Sequence, residues 1–314
     1  MVSAKKICDF LIDNEMEFFT GVPDSLLKDF CAYLTDNLSE NKNIISVNEG
    51  SAIALGAGYH LATNKIPVIY MQNSGQGNTI NPLTSLVDSE VYSIPQLLII
   101  GWRGEPGVKD EPQHIKQGKV TINLLEALNI PHEILSSEFE IAKKQILIAK
   151  QYMLNKQSPY ALVVRKNTFD KYDLINKTKN NYELKREKAL EILLNKLTNN
   201  DSIFVSTTGK TSREVFELRE KYNLGHQKDF LTVGCMGHSS QIALGIALNS
   251  KKQIYCIDGD GAYLMHMGSS ATIGEKSPNN FKHIILNNGA HESVGAQPTC
   301  LLYTSPSPRD GLLS

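Results

Sequence analysis

The sequence predicts an α/β fold built from two successive halves, each a mostly parallel sheet flanked by helices. Three observations carry that prediction. Pro67-Val68-Ile69-Tyr70-Met71 and Gln96-Leu97-Leu98-Ile99-Ile100 are continuous apolar runs. Strands buried on both faces of a parallel sheet read this way, whereas half-exposed strands alternate. Apolar runs and helical stretches also take turns along the chain, the order that α/β layering requires. Finally, the composition between Lys166 and Lys185 shifts to Asn, Lys, Asp and Tyr, and a second strand–helix series follows.

The first helix is predicted over Ala4 to Asn14. Phe18 to Pro23 is a short strand that runs into a Gly-Pro turn, and Asp24 and Ser25 offer an N-cap for a helix from Leu26 to Leu34. Ile44 to Val47 is the next strand, and Ser51 to Ala62 a helix of small residues. The two apolar runs follow, and Tyr160-Ala161-Leu162-Val163-Val164 is the last strand of the half. The second half opens with a helix over Arg186 to Leu197. Strand Ile203 to Ser206, helix Ser212 to Lys221 and the small-residue helix Ser239 to Leu248 come next. Two strands close it: Gln253 to Ile257, leading into Gly259-Asp260-Gly261, and His283 to Leu286, leading into Asn287-Asn288. The expected organisation is therefore 1–165, a linker over 166–185, and 186–299. From Cys300 on, the Pro/Ser-rich stretch has no such patterning and cannot supply a strand. Residues 300–314 read as a foreign tail of sequencing-adapter type on an incomplete second half, the alternative being a natural disordered tail.

At 314 residues the chain has room for two ordinary domains. A formal net charge of −1 gives no reason to expect nucleic acid or an anionic membrane as partner. No run approaches eighteen apolar residues, and the N-terminus lacks the apolar core of a signal peptide, so a cytoplasmic protein is expected. Cys8, Cys31, Cys235, Cys256 and Cys300 are scattered. Their spacing suggests reduced, buried thiols rather than a zinc site.

Three constellations suggest chemistry. Asp260 and Asn288 each follow a predicted strand, 28 positions apart, enough for a helical crossover between parallel strands. Ligands gather at the carboxyl ends of strands in open α/β sheets, and a carboxylate plus an amide oxygen suits Mg²⁺. The plain alternative is that Asp-Gly is turn chemistry. Glu49 stands where a strand meets the small-residue helix; it either serves a site or simply favours the helix macrodipole. In Val233-Gly234-Cys235-Met236-Gly237, the glycines allow close backbone approach to a ligand, while Met236 is ordinary core filler on the other reading.

Gly-Asp-Gly followed by Asn-Asn at this distance resembles the diphosphate-binding signature of thiamine diphosphate enzymes. The resemblance implies that Asp260, Asn288 and the Ala290 carbonyl hold Mg²⁺ on the cofactor's diphosphate, beside Gly234, Gly259 and Gly261. It implies that Glu49 hydrogen-bonds the aminopyrimidine ring and that Met236 props the cofactor in its bent shape. The two halves match that family's pyrimidine- and diphosphate-binding domains, without the central domain of many of its decarboxylases. Because the family's site forms between subunits, a homodimer or higher homo-oligomer is implied.

The runs Thr20–Ser25, Gln72–Asn78, Gly101–Gly104, Asp110–His114 and Asn287–Gly295 narrow the resemblance to the family branch acting on three-carbon 2-oxo acids with a phosphonate or sulfonate group. The implied reaction converts 3-phosphonopyruvate to phosphonoacetaldehyde and CO₂, in phosphonate biosynthesis. Sulfopyruvate is the alternative substrate, and an inactive relative that at most binds cofactor is a further alternative. Asp24 and His114 are the candidate acids; a helix cap and a surface histidine are their plain readings. Lys210, Arg213 and His291 are candidate phosphonate ligands, with Arg103 and Lys109 behind them; a solvated helix start is the other reading of Lys210 and Arg213. Gly209-Lys210-Thr211 is not a phosphate-binding P-loop, since Phe204 stands where the first glycine belongs.

Overall fold

The computed structural model describes residues 1–176, 182–198 and 201–299. They fall into two compact units, one from within Met1–Lys177 with Val294–Pro298, the other from within Thr178–Ser293 with Thr299. The expected tail over 300–314 lies outside the described residues.

The main sheet of the first unit contains six strands: β1 (Phe19–Gly21), β2 (Asn43–Ile45), β3 (Val68–Gln72), β4 (Leu97–Gly101), β5 (His132–Ile134) and β6 (Tyr160–Val164). Their order is β2-β1-β3-β4-β6-β5, and every pairing is parallel. The helices are α1 (Ala4–Asp13), α2 (Lys28–Asn37), α3 (Glu49–Thr63), α4 (Gln76–Ser85), α5 (Pro112–Ala127) and α6 (Phe139–Lys156). Alternate strand residues supply two cores. Phe19, Val68, Tyr70 and Ile99 join Leu11, Phe30 and Ile146 of α1, α2 and α6 on one face. Ile69, Met71, Leu98 and Ile100 join Ile53, Leu83 and Leu125 of α3, α4 and α5 on the other. A sheet covered on both faces needs the unbroken apolar runs read from the sequence. The small residues of α3 let it lie close: a Cβ on Gly56 would stand 2.7 Å from Ile69 Cδ1.

The sequence analysis placed no helix at α4, α5 or α6, and three further features differ from expectation. Helix α2 starts at Lys28, later than Leu26, and its N-cap Leu27 makes no side-chain cap bond. Asp24 does not cap it; its Oδ2 accepts from the Leu26 amide at 2.9 Å, within the turn ahead of the helix. Strand β5 was not foreseen, because three partly buried residues containing His and Glu carry no apolar run. Residues 166–176, expected in the linker, are held on the first unit. Phe169 bridges to Val2 and stacks on Phe30 at 5.6 Å, and the Tyr172 amide donates to Asp29 Oδ1 at 3.0 Å. Two aromatic anchors inside a polar stretch were outweighed by its average composition. Residues 177–181 lie outside the described residues.

The parallel sheet of the second unit has four strands, β7 (Ser202–Ser206), β8 (Asp229–Leu231), β9 (Gln253–Gly259) and β10 (Phe281–Leu286), in the order β10-β9-β7-β8. Helices α7 (Arg186–Leu197) and α8 (Lys210–Lys221) bury Leu190, Leu194, Val215 and Leu218 against Phe204 and Ile257. Helix α9 (Ser239–Leu248) lays Ala243 and Ala247 on the opposite face, against Val205, Ile254, Cys256 and Phe281. Short helices α10 (Asp260–Met265) and α11 (Ser269–Lys276) fill the connection from β9 to β10. Strand β8 carries little apolar signal. It is tied in by fully buried Arg219 of α8, which forks onto Asp229 with bonds of 2.9 and 2.7 Å.

Candidate active-site residues

With all strands parallel, each unit gathers its strand carboxyl ends on one edge, where ligands of open α/β sheets bind. In the first unit the loops after β1, β2, β3 and β4 bring together most of the singled-out residues. Glu49 is the first residue of α3, capped by Asn48, whose side chain accepts from the Ser51 amide at 2.9 Å. The Glu49 side chain is buried, and Asn78 of α4 donates to its Oε2 at 2.7 Å. Gly75 lies against the same carboxyl: a Cβ there would stand 2.3 Å from Oε1. Burial pushes the Glu49 pKa up, with the Asn78 bond pulling against it. A carboxyl that keeps its proton more readily than usual, at a strand end, suits a role in proton transfer.

Gly75→Ala is expected to displace the Glu49 carboxyl, because its new methyl cannot share that space. Asn78→Ala is expected to leave the carboxyl in place but raise its pKa further, since an opposing hydrogen bond is lost. Each should cost activity roughly 10- to 100-fold and stability about 1–3 kcal/mol. Only the second should shift the acid limb of the pH–rate profile upward, which steady-state assays across pH would read.

Asp24 follows β1 and is fully buried. A Cβ on Gly101, at the end of β4, would stand 2.1 Å from its Oδ2, so glycine there makes room for the carboxyl. Burial raises the Asp24 pKa to about 6; the Leu26 amide and the charge of Arg103 limit the rise. Arg103 donates to Ser25 Oγ at 2.7 Å and forks onto Asp110, with its Nε 2.8 Å from Oδ2. That fork holds Asp110 well below the usual carboxylate range. Protonated Asp24 is favoured in the folded chain. Its stabilising contribution is therefore complete below the ordinary value of 3.8 and lost as pH rises through about 6. Asp24→Asn, which stays neutral, should gain roughly 3 kcal/mol of stability relative to the parent between about pH 4 and about pH 8. Denaturant titrations at both pH values would measure it.

His114 lies in the first turn of α5. A Cβ on Gly104, at φ +69°, would stand 1.9 Å from the His114 carbonyl oxygen, so the loop after β4 runs directly over it. Its Nδ1 is buried without a hydrogen-bond partner, and burial, helped by Arg103, lowers its pKa. Asp24 and His114 thus share Arg103 as an electrostatic neighbour.

In the second unit, the register pairs Leu286 with Gly259, so Asp260 and Asn287 directly follow the ends of adjacent strands. Asp260 is buried at the start of α10 and accepts, on Oδ2, from the Gly289 amide at 3.0 Å and Thr299 Oγ1 at 2.7 Å. Asn288 Oδ1 accepts from the Ala290 amide at 3.1 Å. Asp260, Asn288 and Ala290 therefore meet in one hydrogen-bonded turn. A carboxylate, a carboxamide and a backbone carbonyl form the all-oxygen donor set that suits Mg²⁺. Gly261 sits between two further candidates: a Cβ on it would stand 2.7 Å from His291 Cε1 and 3.4 Å from Met236 Cε. Gly234 precedes Met236 in the loop from β8 to α9, and Gly259 ends β9. Burial lowers the His291 pKa, so His291 offers a hydrogen bond rather than a charge. Lys210 opens α8 and pairs with Glu292 at 3.1 Å, and Glu292 also binds Arg186. Arg213, one turn on, is exposed.

The sequence reading assigned no role to Gly75, Asn78, Gly101, Asp110 or Thr299. The polar run after the β3 apolar stretch was the available signal for Asn78; pairings 29 to 39 residues apart are invisible along the chain.

Two parallel α/β units, one presenting a buried glutamate and the other an Asp/Asn oxygen turn at the strand ends, are those of a thiamine pyrophosphate (thiamine diphosphate) enzyme. Residues 1–124 match the N-terminal TPP binding domain of thiamine pyrophosphate enzymes, and residues 207–310 the C-terminal TPP binding domain. The chain is 33% identical to phosphonopyruvate decarboxylase of Streptomyces viridochromogenes over 95% of its own length and 77% of that protein. It is 25% identical to sulfopyruvate decarboxylase of Methanosarcina acetivorans over 95% of its length and 79% of that protein. It is 34% identical to the sulfopyruvate decarboxylase subunit alpha of Methanococcus maripaludis over 52% of its length and 95% of that subunit. The chain belongs to the thiamine pyrophosphate-dependent decarboxylases, in the branch that holds the phosphonopyruvate and sulfopyruvate enzymes. Among the described residues no helix is long and apolar enough to cross a membrane.

Proposed function

We propose that the chain decarboxylates 3-phosphonopyruvate to phosphonoacetaldehyde and CO₂ in phosphonate biosynthesis, with Asp260, Asn288 and the Ala290 carbonyl holding Mg²⁺ on the cofactor diphosphate. The likeness to phosphonopyruvate decarboxylase along almost the whole chain carries the substrate assignment. When bound, thiamine diphosphate supplies the electron sink for loss of CO₂. Glu49 holds a proton at the ring nitrogen of the aminopyrimidine, and Asn78 and Gly75 keep its carboxyl in place. Gly234, Gly259 and Gly261 would let backbone approach the cofactor closely, and Met236 would support its bent shape. Asp24, protonated up to about pH 6, and neutral His114 are the groups able to donate or relay the proton that aldehyde release requires.

Lys210, Arg213 and His291 receive the phosphonate, with Glu292 standing on Lys210 until substrate arrives. Lys210→Ala is expected to raise KM for phosphonopyruvate about 10- to 100-fold while changing pyruvate turnover far less, because a charge-assisted bond to the phosphonate is lost. Equal losses on both substrates would remove Lys210 from this role. The direct test is CO₂ and aldehyde release with phosphonopyruvate and with sulfopyruvate, each in excess of Mg²⁺ and cofactor. A higher kcat/KM for sulfopyruvate would move the assignment to that acid, and cofactor binding without turnover on either would favour a non-catalytic relative.

The protein is proposed to act as a homo-oligomer in the cytoplasm, each site combining the first unit of one copy with the second unit of another. In a relative, one named subunit matches about half of this chain over nearly its whole length, which supports two separable modules. Cys8, Cys31 and Cys256 are buried as expected, whereas Cys235, in the loop before α9, is exposed; all four are free thiols, which suits a reducing compartment.

A further inference from the structure

Cys256, Asp258 and His283 form a cluster of metal-ligating side chains that the proposed reaction does not use. Cys256 and Asp258 are two apart on β9, so both project to the same face of the sheet. His283 on β10 stands in register with Cys256, on that face. The Cys256 thiol, one Asp258 oxygen and one His283 nitrogen all lie within 4.8 Å of one another. Cys256 and Asp258 are 0% and 1% exposed, and the His283 side chain 15%. His283 Nε2 is 3.3 Å from Asp258 Oδ2, while Asp258 Oδ1 accepts from the Gly259 amide at 3.1 Å. Around them stand Ile254, Ala243, Ala247 and Phe281, with the Tyr263 ring edge-on to His283.

From this arrangement we infer a second cation site, of the Zn²⁺ class, built from Cys256 Sγ, Asp258 Oδ2 and His283 Nε2. Buried Asp258 has the Gly259 amide and the 3.3 Å contact to His283 as polar partners, and a cation would add the charge compensation that a buried carboxylate favours. A dication bound by one carboxylate and one thiolate, with neutral imidazole, makes an electrically neutral centre; the thiol gives its proton to water as the metal enters. Thiolate, imidazole and carboxylate together select Zn²⁺ or Co²⁺, whereas Mg²⁺ takes the all-oxygen set at Asp260 and Asn288. Three protein ligands leave a fourth position for water. The ion would tie β9 to β10 just ahead of the strand ends that carry Asp260 and Asn288. The scattered cysteine spacing hides such a site, because its third ligand arrives through strand pairing.

The test is Co²⁺ titration of the 314-residue protein after chelator dialysis, followed by absorbance. One equivalent should bind with a thiolate-to-cobalt charge-transfer band and tetrahedral visible bands. One equivalent of Zn²⁺ should displace it, and excess Mg²⁺ should not. Cys256→Ser should lose the charge-transfer band, and His283→Gln should weaken binding at least about tenfold. Cys235→Ser should change nothing, although exposed Cys235 has its Sγ 3.4 Å from His238 Nδ1 and is the competing thiol–imidazole pair. Absence of the band in the parent, its persistence in Cys256→Ser, or its loss in Cys235→Ser would overturn the assignment. If Cys256→Ser does not fold, His283→Gln, verified by circular dichroism, decides: unchanged affinity refutes the site.

Discussion

Glu49→Gln is expected to bind thiamine diphosphate and Mg²⁺ almost as the parent does and to lose turnover by roughly 10²- to 10⁴-fold, the range of a removed general acid–base. Glutamine has the same shape. Its amide oxygen still accepts the bond that Asn78 donates at 2.7 Å, and it still fits beside Gly75. What it lacks is an exchangeable carboxyl proton, in a buried position where that proton is held more tightly than usual. Calorimetry should therefore show near-equal affinity, while NMR should show slowed deuterium exchange at the thiazolium carbon of bound cofactor. Exchange at the parent rate would remove Glu49 from the chemistry and leave it a helix-start residue.

The second large effect concerns assembly. Asp260→Ala alone should abolish Mg²⁺-dependent cofactor binding, since the carboxylate that organises Gly289 and Thr299 is gone. Co-expressing Glu49→Gln chains with Asp260→Ala chains should nevertheless restore activity. If each site combines the first unit of one copy with the second unit of another, a mixed dimer holds one site with both defects and one with neither. Random pairing makes about half of the dimers mixed, so about a quarter of the parent activity should return. Two variants that stay inactive together, in a preparation shown by native mass spectrometry to contain mixed dimers, would place each site within one chain.

Legibility in the sequence followed physical range. Strands β3, β4 and β6 were readable because burial on both faces demands unbroken apolar runs, and helices α7 and α9 because their composition is a local signal. Strands β5 and β8 were not, being three residues long and carrying polar side chains at their edges of the sheets. Glu49, Asp260 and Asn288 stood out because a polar residue ending an apolar run is a local signal. Asp24 read more plainly as a helix cap; its full burial against Gly101 depends on two strands separated by β3, which no local pattern encodes. The partners of these groups, Asn78 for Glu49 and Thr299 for Asp260, are likewise long-range.

The Arg219–Asp229 fork has a practical consequence for altering substrate preference. It clamps the far end of α8, with Thr198 Oγ1 3.0 Å from Arg219 and the Phe204 ring beneath the guanidinium. Lys210 sits at the opposite end of that same helix. Removing one partner of so enclosed an ion pair typically costs about 3–5 kcal/mol. A mutagenesis library aimed at new acids should therefore randomise the Lys210 end freely and leave position 219 untouched, or every variant will carry a folding handicap that masks any gain in selectivity.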